Sequence, residues 1–278
     1  MSNVPSIALN NSVEIPQLGF GVYQIEPENV RAATERALDA GYRHVDTAAA
    51  YANEAGVGEA VRSSGISRDE IFVTTKLRNA DQGYENTLRA FETSRKELKL
   101  DVIDLYLIHW PYPRHNLFLD SWKALEKLYA EGSVRAIGVS NFLEPHLDQI
   151  LTECDIVPAV NQIELHPSFQ QSELTEYSTS RGIAVESYSP LGQGQDLNGA
   201  VVRTIAESHG KSPAQIVLRW HLQRGFIVIP KSVTKQRVHE NIEVFDFSLT
   251  QNEIDSMNGL ESGLRTSGDP ATFDFAQI

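Results

Sequence analysis

The sequence predicts a closed parallel barrel of the (β/α)8 TIM type, on three observations. Short apolar runs of strand length alternate with segments of helical periodicity, roughly eight such units of about 30 residues fill the 278 positions, and polar side chains stand at the ends of several runs in the same chain sense. The strand-like runs are Leu18 to Tyr23, His44 to Ala48, Ile71 to Lys76, Ile103 to Trp110, Ala136 to Ser140, Ala159 to Ile163, Ala184 to Ser187 and Ile227 to Pro230. Between them, Asn29 to Ala40 reads as an amphipathic helix that stops at Gly41. Gly83 to Leu98 carries Leu88, Phe91 and Leu98, and Asp120 to Glu131 carries Trp122, Leu125 and Leu128 before Gly132. Ser212-Pro213-Ala214-Gln215 and Thr250-Gln251-Asn252-Glu253 read as capping boxes that open two further helices. Ahead of the first run, Ser6 to Ile15 has a turn at Asn10-Asn11 and is expected to form a hairpin that plugs the barrel bottom.

No shift in composition divides the chain, so residues 1–278, 41% hydrophobic, are expected to form one domain around a large core. Twenty-four basic against 37 acidic residues leave a formal charge of −13, which argues against nucleic acid as a partner. Cys154 is the one cysteine, so no intramolecular disulfide forms and a reducing compartment is expected. The segment Met1-Ser2-Asn3-Val4-Pro5 has neither a basic region nor a long apolar run, and the apolar stretches are strand-sized. A cytoplasmic monomer with a small-molecule partner and no membrane contact is the expectation.

An open doubly wound sheet would usually bind a dinucleotide through G-x-G-x-x-G between strand and helix. Gly19-Phe20-Gly21-Val22-Tyr23-Gln24 and Gly192-Gln193-Gly194-Gln195-Asp196-Leu197 each lack the third glycine. A nicotinamide cofactor must therefore be held some other way.

The chemistry is carried by an ordered set of residues. Gly41-Tyr42-Arg43-His44-Val45-Asp46-Thr47-Ala48 puts an acid at the exit of an apolar run, with Tyr51 five residues later and Glu54 and Gly58 beyond; Lys76 and His109 end later runs. Singly, Asp46 reads as a strand-end cap, Tyr51 as a packing residue, Lys76 as a rim lysine and His109 as a core histidine bonded to backbone. Together they follow strand-like segments in one sense, as groups lining a barrel mouth do. A metal-dependent barrel hydrolase would also gather Asp46, His109, Glu164 and His166, but no H-x-H or H-E-x-x-H pair is present, so no metal is expected.

From Leu18-Gly19-Phe20-Gly21 through Ile229-Pro230-Lys231-Ser232, these motifs resemble those of the aldo-keto reductase family in type, order and spacing. The nearest flavour is the compact bacterial branch that includes 2,5-diketo-gluconate reductases. The resemblance implies a (β/α)8 barrel that binds NADPH, or NADP, extended across the strand C-termini and reduces a small carbonyl substrate to an alcohol. By the same resemblance, Asp46, Tyr51, Lys76 and His109 match a catalytic tetrad. Hydride addition leaves an alkoxide-like oxygen that needs a proton donor, and Tyr51 is the candidate acid. A phenol titrating near 10 gives up its proton reluctantly, so Lys76 is expected to make it more acidic while Asp46 keeps the lysine charged. His109 would donate to the substrate oxygen.

The cofactor residues follow the same likeness. Ser140, Asn141 and Gln162 supply hydrogen-bonding groups for a carboxamide, Tyr188 a flat face for the nicotinamide ring, and Ser189, Leu191 and Gln193 a loop that reaches the pyrophosphate. In Lys231-Ser232-Val233-Thr234-Lys235-Gln236-Arg237 cations gather at a helix N-terminus, where they oppose the dipole unless an anion joins them. Lys231, Ser232, Val233 and Arg237 are therefore assigned to the 2′-phosphate end of the cofactor, with Asn241 at the adenine. Phe20, Tyr23 and Trp110 would wall an apolar substrate pocket beside His109 or else serve as core packing, Arg78 would favour a carboxylate or polyhydroxylated substrate, and the tail from Leu264 to Ile278 would fold over the opening or else pack its apolar residues on the barrel wall. The other function carried forward is a cofactor-binding barrel that senses redox state for a partner protein.

Overall fold

The computed structural model describes residues 4–278 and begins with the expected hairpin, β1 (Ser6–Ala8) antiparallel to β2 (Glu14–Pro16), with Ile7 opposite Ile15. Leu9 and Ile15 are buried against Phe72, Leu105, Leu107, Ala136, Val160 and Ile227, so the hairpin seals the barrel floor. The chain then runs β3 (Phe20–Gly21), α1 (Pro27–Ala40), β4 (His44–Asp46), α2 (Glu54–Ser63), β5 (Phe72–Leu77), α3 (Tyr84–Leu98), β6 (Ile103–Ile108), α4 (Phe118–Ala130), β7 (Val134–Ser140), α5 (Glu144–Glu153) and β8 (Val160–Glu164). It continues through α6 (Ser172–Ser180), β9 (Ala184–Tyr188), α7 (Ala200–His209), α8 (Pro213–Gln223), β10 (Ile227–Val228), α9 (Lys235–Ile242) and α10 (Gln251–Asn258).

Strands β3 to β10 pair in chain order and in parallel. The seam closes through a parallel bridge of Leu18 with Val228, where the Gly19 N–H donates to the Val228 carbonyl at 2.8 Å. Each strand-like run of the sequence holds one of these strands. Both capping boxes form: Ser212 with Gln215 opens α8, and Thr250 with Glu253 opens α10. Among the described residues no helix is long and apolar enough to cross a membrane.

The pleat decides what reaches the mouth. Successive side chains on a strand point to opposite faces. Val73 and Leu77 on β5, Tyr106 and Ile108 on β6, Ile137 and Val139 on β7, and Ile163 and Val185 on the next two strands pack outward into one core with the helices. The alternate residues face the barrel interior: Phe72, Thr74 and Lys76; Leu105 and Leu107 with His109 just beyond; Ala136, Gly138 and Ser140; Val160, Gln162 and Glu164; Ala184, Glu186 and Tyr188. Apolar residues fill the lower part of these rows and polar ones the upper. The alternation that buries the floor thus delivers the candidate site. Gly138 is small because a Cβ there would sit 2.6 Å from the Val160 carbonyl oxygen, and Gly58 because its Cβ would sit 2.0 Å from that of Leu98, where α2 meets the end of α3.

Candidate active site

Asp46 ends β4 and Lys76 lies one residue inside the end of β5, so neighbouring strands bring them together. The Lys76 ammonium donates to Asp46 Oδ1 at 2.7 Å, Asp46 Oδ2 at 2.8 Å and the Thr47 carbonyl at 2.9 Å. Lys76 is 0% exposed and Asp46 2%. Those three bonds use all three ammonium hydrogens. Tyr51 sits above, at the end of a short 3-10 turn, its ring centroid 5.2 Å from Lys76 Nζ, 5.7 Å from the His109 ring and 5.0 Å from that of Tyr23. The four tetrad residues therefore converge, and Tyr23, 48% exposed, stands at the mouth beside them.

Burial first, then the Asp46 carboxylate, push the Tyr51 phenol well above its ordinary value. The Lys76 ammonium, 5.2 Å from the ring centroid, gives its hydrogens to Asp46 and Thr47 and none to the phenol. His109 moves the other way. Burial, then the Lys76 charge, hold its imidazole well below the usual value, so it is a neutral ring, and its Nδ1 has no hydrogen-bond partner among the described residues.

On the adjoining strands Ser140 Oγ donates to the Gln162 backbone carbonyl at 2.9 Å. The Asn141 amide donates to the His109 carbonyl at 3.0 Å and to Ser140 Oγ at 3.1 Å, and its Oδ1 accepts from the Tyr188 hydroxyl at 2.7 Å. Gln162 turns its amide nitrogen inward, donating to Asp46 Oδ2 at 2.8 Å and Glu186 Oε2 at 3.0 Å. Its side-chain oxygen keeps no partner among the described residues. Ser189 and Gln193 adopt left-handed backbone in the loop that carries Leu191. At the far end, Lys231, Val233 and Arg237 are exposed while Ser232 and Asn241 are buried. Thr234, the N-cap of α9, makes no side-chain cap bond, and no ion pair among the described residues involves Lys231, Lys235 or Arg237.

Phe20 is buried edge-on against Tyr42 and walls no pocket, because its position on β3 faces the helix layer. Arg78 has its charge matched locally by Asp81, at 2.8 Å from Nε. The tail does fold over the opening: Phe273 stacks on Trp110 at 4.0 Å, the Asn79 N–H donates to the Ile278 carbonyl at 2.7 Å, and Arg114 pairs with Asp274. Phe275 stays 56% exposed.

The tail is also held by a cluster that sequence reasoning had set aside as metal ligands. Glu164, at the end of β8, accepts from the Thr266 amide at 2.5 Å and hydroxyl at 2.7 Å, and from the Ser267 amide at 3.0 Å and hydroxyl. Ser267 Oγ also lies 2.8 Å from the Tyr188 hydroxyl. His166 bridges Glu164 at 3.2 Å and Asp196 at 2.8 Å. Among the described residues no group of three or more His, Cys, Asp or Glu is arranged to hold a metal ion. The Glu-x-His pattern and Asp196 were visible in the sequence; Ser267, about 100 positions away, gave no local signal.

Burial alone would lower the His166 pKa, but its bonds to Asp196 and Glu164 outweigh that and raise it from 6.5 to about 9; Glu164 is held down from 4.5 to about 2. His166 therefore stabilises the clamp fully below pH 6.5 and loses that contribution as pH rises through about 9. Glu164 contributes fully above pH 4.5 and loses it as pH falls through about 2. The clamp should be tightest between pH 4.5 and 6.5. Hydrogen exchange should show protection of the Thr266 and Ser267 amides falling as pH climbs through about 9, by about 1 kcal/mol once screening on the tail side is allowed for. In His166→Ala that step should vanish.

A parallel barrel with ionisable groups gathered at its strand C-termini is the architecture of a barrel enzyme. The sequence model of the Aldo/keto reductase family matches residues 17–262. The chain belongs to the aldo/keto reductase family of oxidoreductases. It is 52% identical over 271 residues to an aldo-keto reductase of Mycolicibacterium smegmatis, with 98% of each chain covered. A glyoxal reductase of Bacillus subtilis is 48% identical over 266 residues, covering 95% of this chain and 96% of that one. A crystal structure of a Gox0644 mutant in complex with NADPH superposes with a TM-score of 0.95 at 44% identity, over 99% of this chain and 100% of the other.

Proposed function

We propose that the protein uses NADPH to reduce aldehydes, ketones, keto sugars or keto acids to alcohols, with Tyr51 as the proton donor. The observation that carries this reading is the convergence of Tyr51, neutral His109 and the buried Lys76–Asp46 pair at one mouth. NADPH, when bound, supplies the hydride. His109 orients the substrate by donating an N–H to the carbonyl oxygen. Tyr51, holding its proton throughout the neutral range, hands it to that oxygen as negative charge develops there. Lys76 then acts on the product side of the transfer: its ammonium lies close enough to stabilise the phenolate left behind. Asp46 fixes the ammonium's place.

The residues present fit the cofactor. Among the described residues Lys231, Lys235 and Arg237 make no ion pair, and they stand around an uncapped helix N-terminus in a chain of charge −13, which suits a phosphate. Ser232 and Asn241 would complete that end, Ser189, Leu191 and Gln193 the pyrophosphate loop. Tyr188 is the ring platform and Gln162, with its unpartnered side-chain oxygen, a carboxamide acceptor; Ser140 and Asn141 brace both. Arg237→Ala should weaken NADPH binding about 10- to 100-fold, the worth of a charge-assisted hydrogen bond, and leave NADH within about twofold. Fluorescence titration with both cofactors checks this, and equal losses would refute the assignment.

Tyr23, Trp110 and His109 are proposed to contact the substrate. Placement in the 2,5-diketo-gluconate reductase-like branch rests on the motifs. A cytoplasmic monomer of one barrel unit, without nucleic-acid partners, is the accompanying reading, supported by the formal charge of −13 and the single cysteine. The test is loss of NADPH absorbance against a panel of aldehydes, keto sugars and keto acids. No oxidation with any member would sink the proposal.

A further inference from the structure

Below the tetrad the barrel interior holds a second carboxyl group that the proposed reaction does not use. Glu186, at the middle of β9, is 0% exposed. Its Oε2 accepts from the Gln162 amide at 3.0 Å, and the same amide nitrogen donates to Asp46 Oδ2 at 2.8 Å, so one NH2 group ties the two carboxyl groups together. Among the described residues Oε1 has no hydrogen-bond partner; His44 Nε2 lies 3.7 Å away. The titratable groups that face Glu186 are His44 and Asp46 on β4, Lys76 on β5 and the Tyr51 phenol above. β8 offers Gln162, and β10 places apolar Ile227 in register with it.

A charge count then decides its state. Lys76 is the one cation in this group and is fully engaged by Asp46 and Thr47. Burial holds His44 down to about 3, so it is neutral. A second carboxylate would be buried without a counter-charge, at a cost no neighbouring group offsets. In keeping with that count, burial and then the charge of Asp46 raise the Glu186 carboxyl above the usual carboxylate range.

We propose that Glu186 is a positioning residue that enters the folded barrel as a neutral acid, leaving Lys76 to answer a single carboxylate and so remain able to stabilise the Tyr51 phenolate. Its carbonyl oxygen also holds the Gln162 amide inward, which leaves the Gln162 side-chain oxygen facing the mouth. When Glu186 loses its proton, a second negative charge competes for the Lys76 field and disfavours the phenolate that proton transfer creates. The rate of proton transfer falls while substrate binding does not. The inference rests on the carbonyl-reductase reading for its kinetic part and stands without it for the protonation state.

The variant is E186Q, which keeps the shape and neutrality of the proposed acid. Infrared difference spectra of wild type against E186Q at about pH 7 should show a protonated-carboxyl C=O band that gives way to carboxylate as pH rises. A carboxylate band already present at about pH 7 would overturn the proposal. In carbonyl reduction, E186Q should keep kcat within about threefold at neutral pH and lack a partial downward step in kcat that wild type shows on the alkaline side, with KM unchanged in both. Superimposable profiles would reduce Glu186 to a packing residue and overturn it. If wild type reduces no carbonyl, the proposed function falls, and Tm decides Glu186: the advantage of E186Q over wild type should widen from about pH 5 upward, because the unfolded chain gives up the Glu186 proton first. A constant difference would overturn the proposal. E186D, which keeps the acid, is the second variant should E186Q not fold, and its C=O band should shift in position.

Discussion

Tyr51→Phe is expected to lower kcat/KM for carbonyl reduction by about 100- to 10,000-fold, the usual worth of a positioned general acid. The substitution removes one oxygen and leaves the ring, so the contacts with Tyr23 and His109, at 5.0 and 5.7 Å between centroids, survive. The fold should not suffer. The hydroxyl makes no hydrogen bond with the described residues, so its loss strands no buried partner. NADPH affinity should also stay within about twofold, because the cofactor is assigned to later strands. Steady-state kinetics together with a cofactor titration separates the outcomes: retained turnover would remove Tyr51 as donor, and lost cofactor binding would show that it serves the site in another way. The raised phenol adds a pH signature. A group that keeps its proton well above its ordinary value should support reduction across the neutral and mildly alkaline range.

How much of this was readable in the chain depended on whether the signal was local. The eight strand positions followed from runs of four to eight residues, and the plug followed from Asn10-Asn11, because strand and turn preferences act over a few bonds. The four candidate residues were legible because Asp46, Lys76 and His109 stand at or near strand ends, where the pleat turns them into the mouth, and Tyr51 follows β4 on a short turn. What escaped was pairwise. The phenol's upward shift comes from burial and then from the Asp46 carboxylate, and both depend on how separate strands and a turn meet. Phe20 stayed undecided between pocket wall and core for a related reason, since β3 is so short that alternation alone did not tell its two faces apart. Glu186 was visible as an acid inside the apolar run Ala184 to Ser187, and only its depth in the barrel gave that oddity a meaning. The hold of Glu164 on Ser267 joined positions too distant for any motif.

Lys76→Met should be the most destabilising change in the site. It leaves the Asp46 carboxylate, 2% exposed, without its cation, and breaking a buried pair from one side typically costs about 3–5 kcal/mol. Methionine fills much the same volume, so the cost reports charge and hydrogen bonding more than a cavity. Urea denaturation measures it, and a loss below about 1 kcal/mol would mean that Asp46 takes up a proton or reaches water. Neutralising both partners in D46N/K76M should restore much of the stability, because two charges are then removed together and the carboxamide that replaces the Asp46 carboxylate can still accept from Gln162. Turnover should not return with it. The double variant has no cation near the Tyr51 ring to stabilise a phenolate, so a folded, NADPH-binding, inactive protein is the expected outcome. Recovery of activity along with stability would show that the ammonium serves only to neutralise Asp46 in the barrel, and that the phenol does its work unaided.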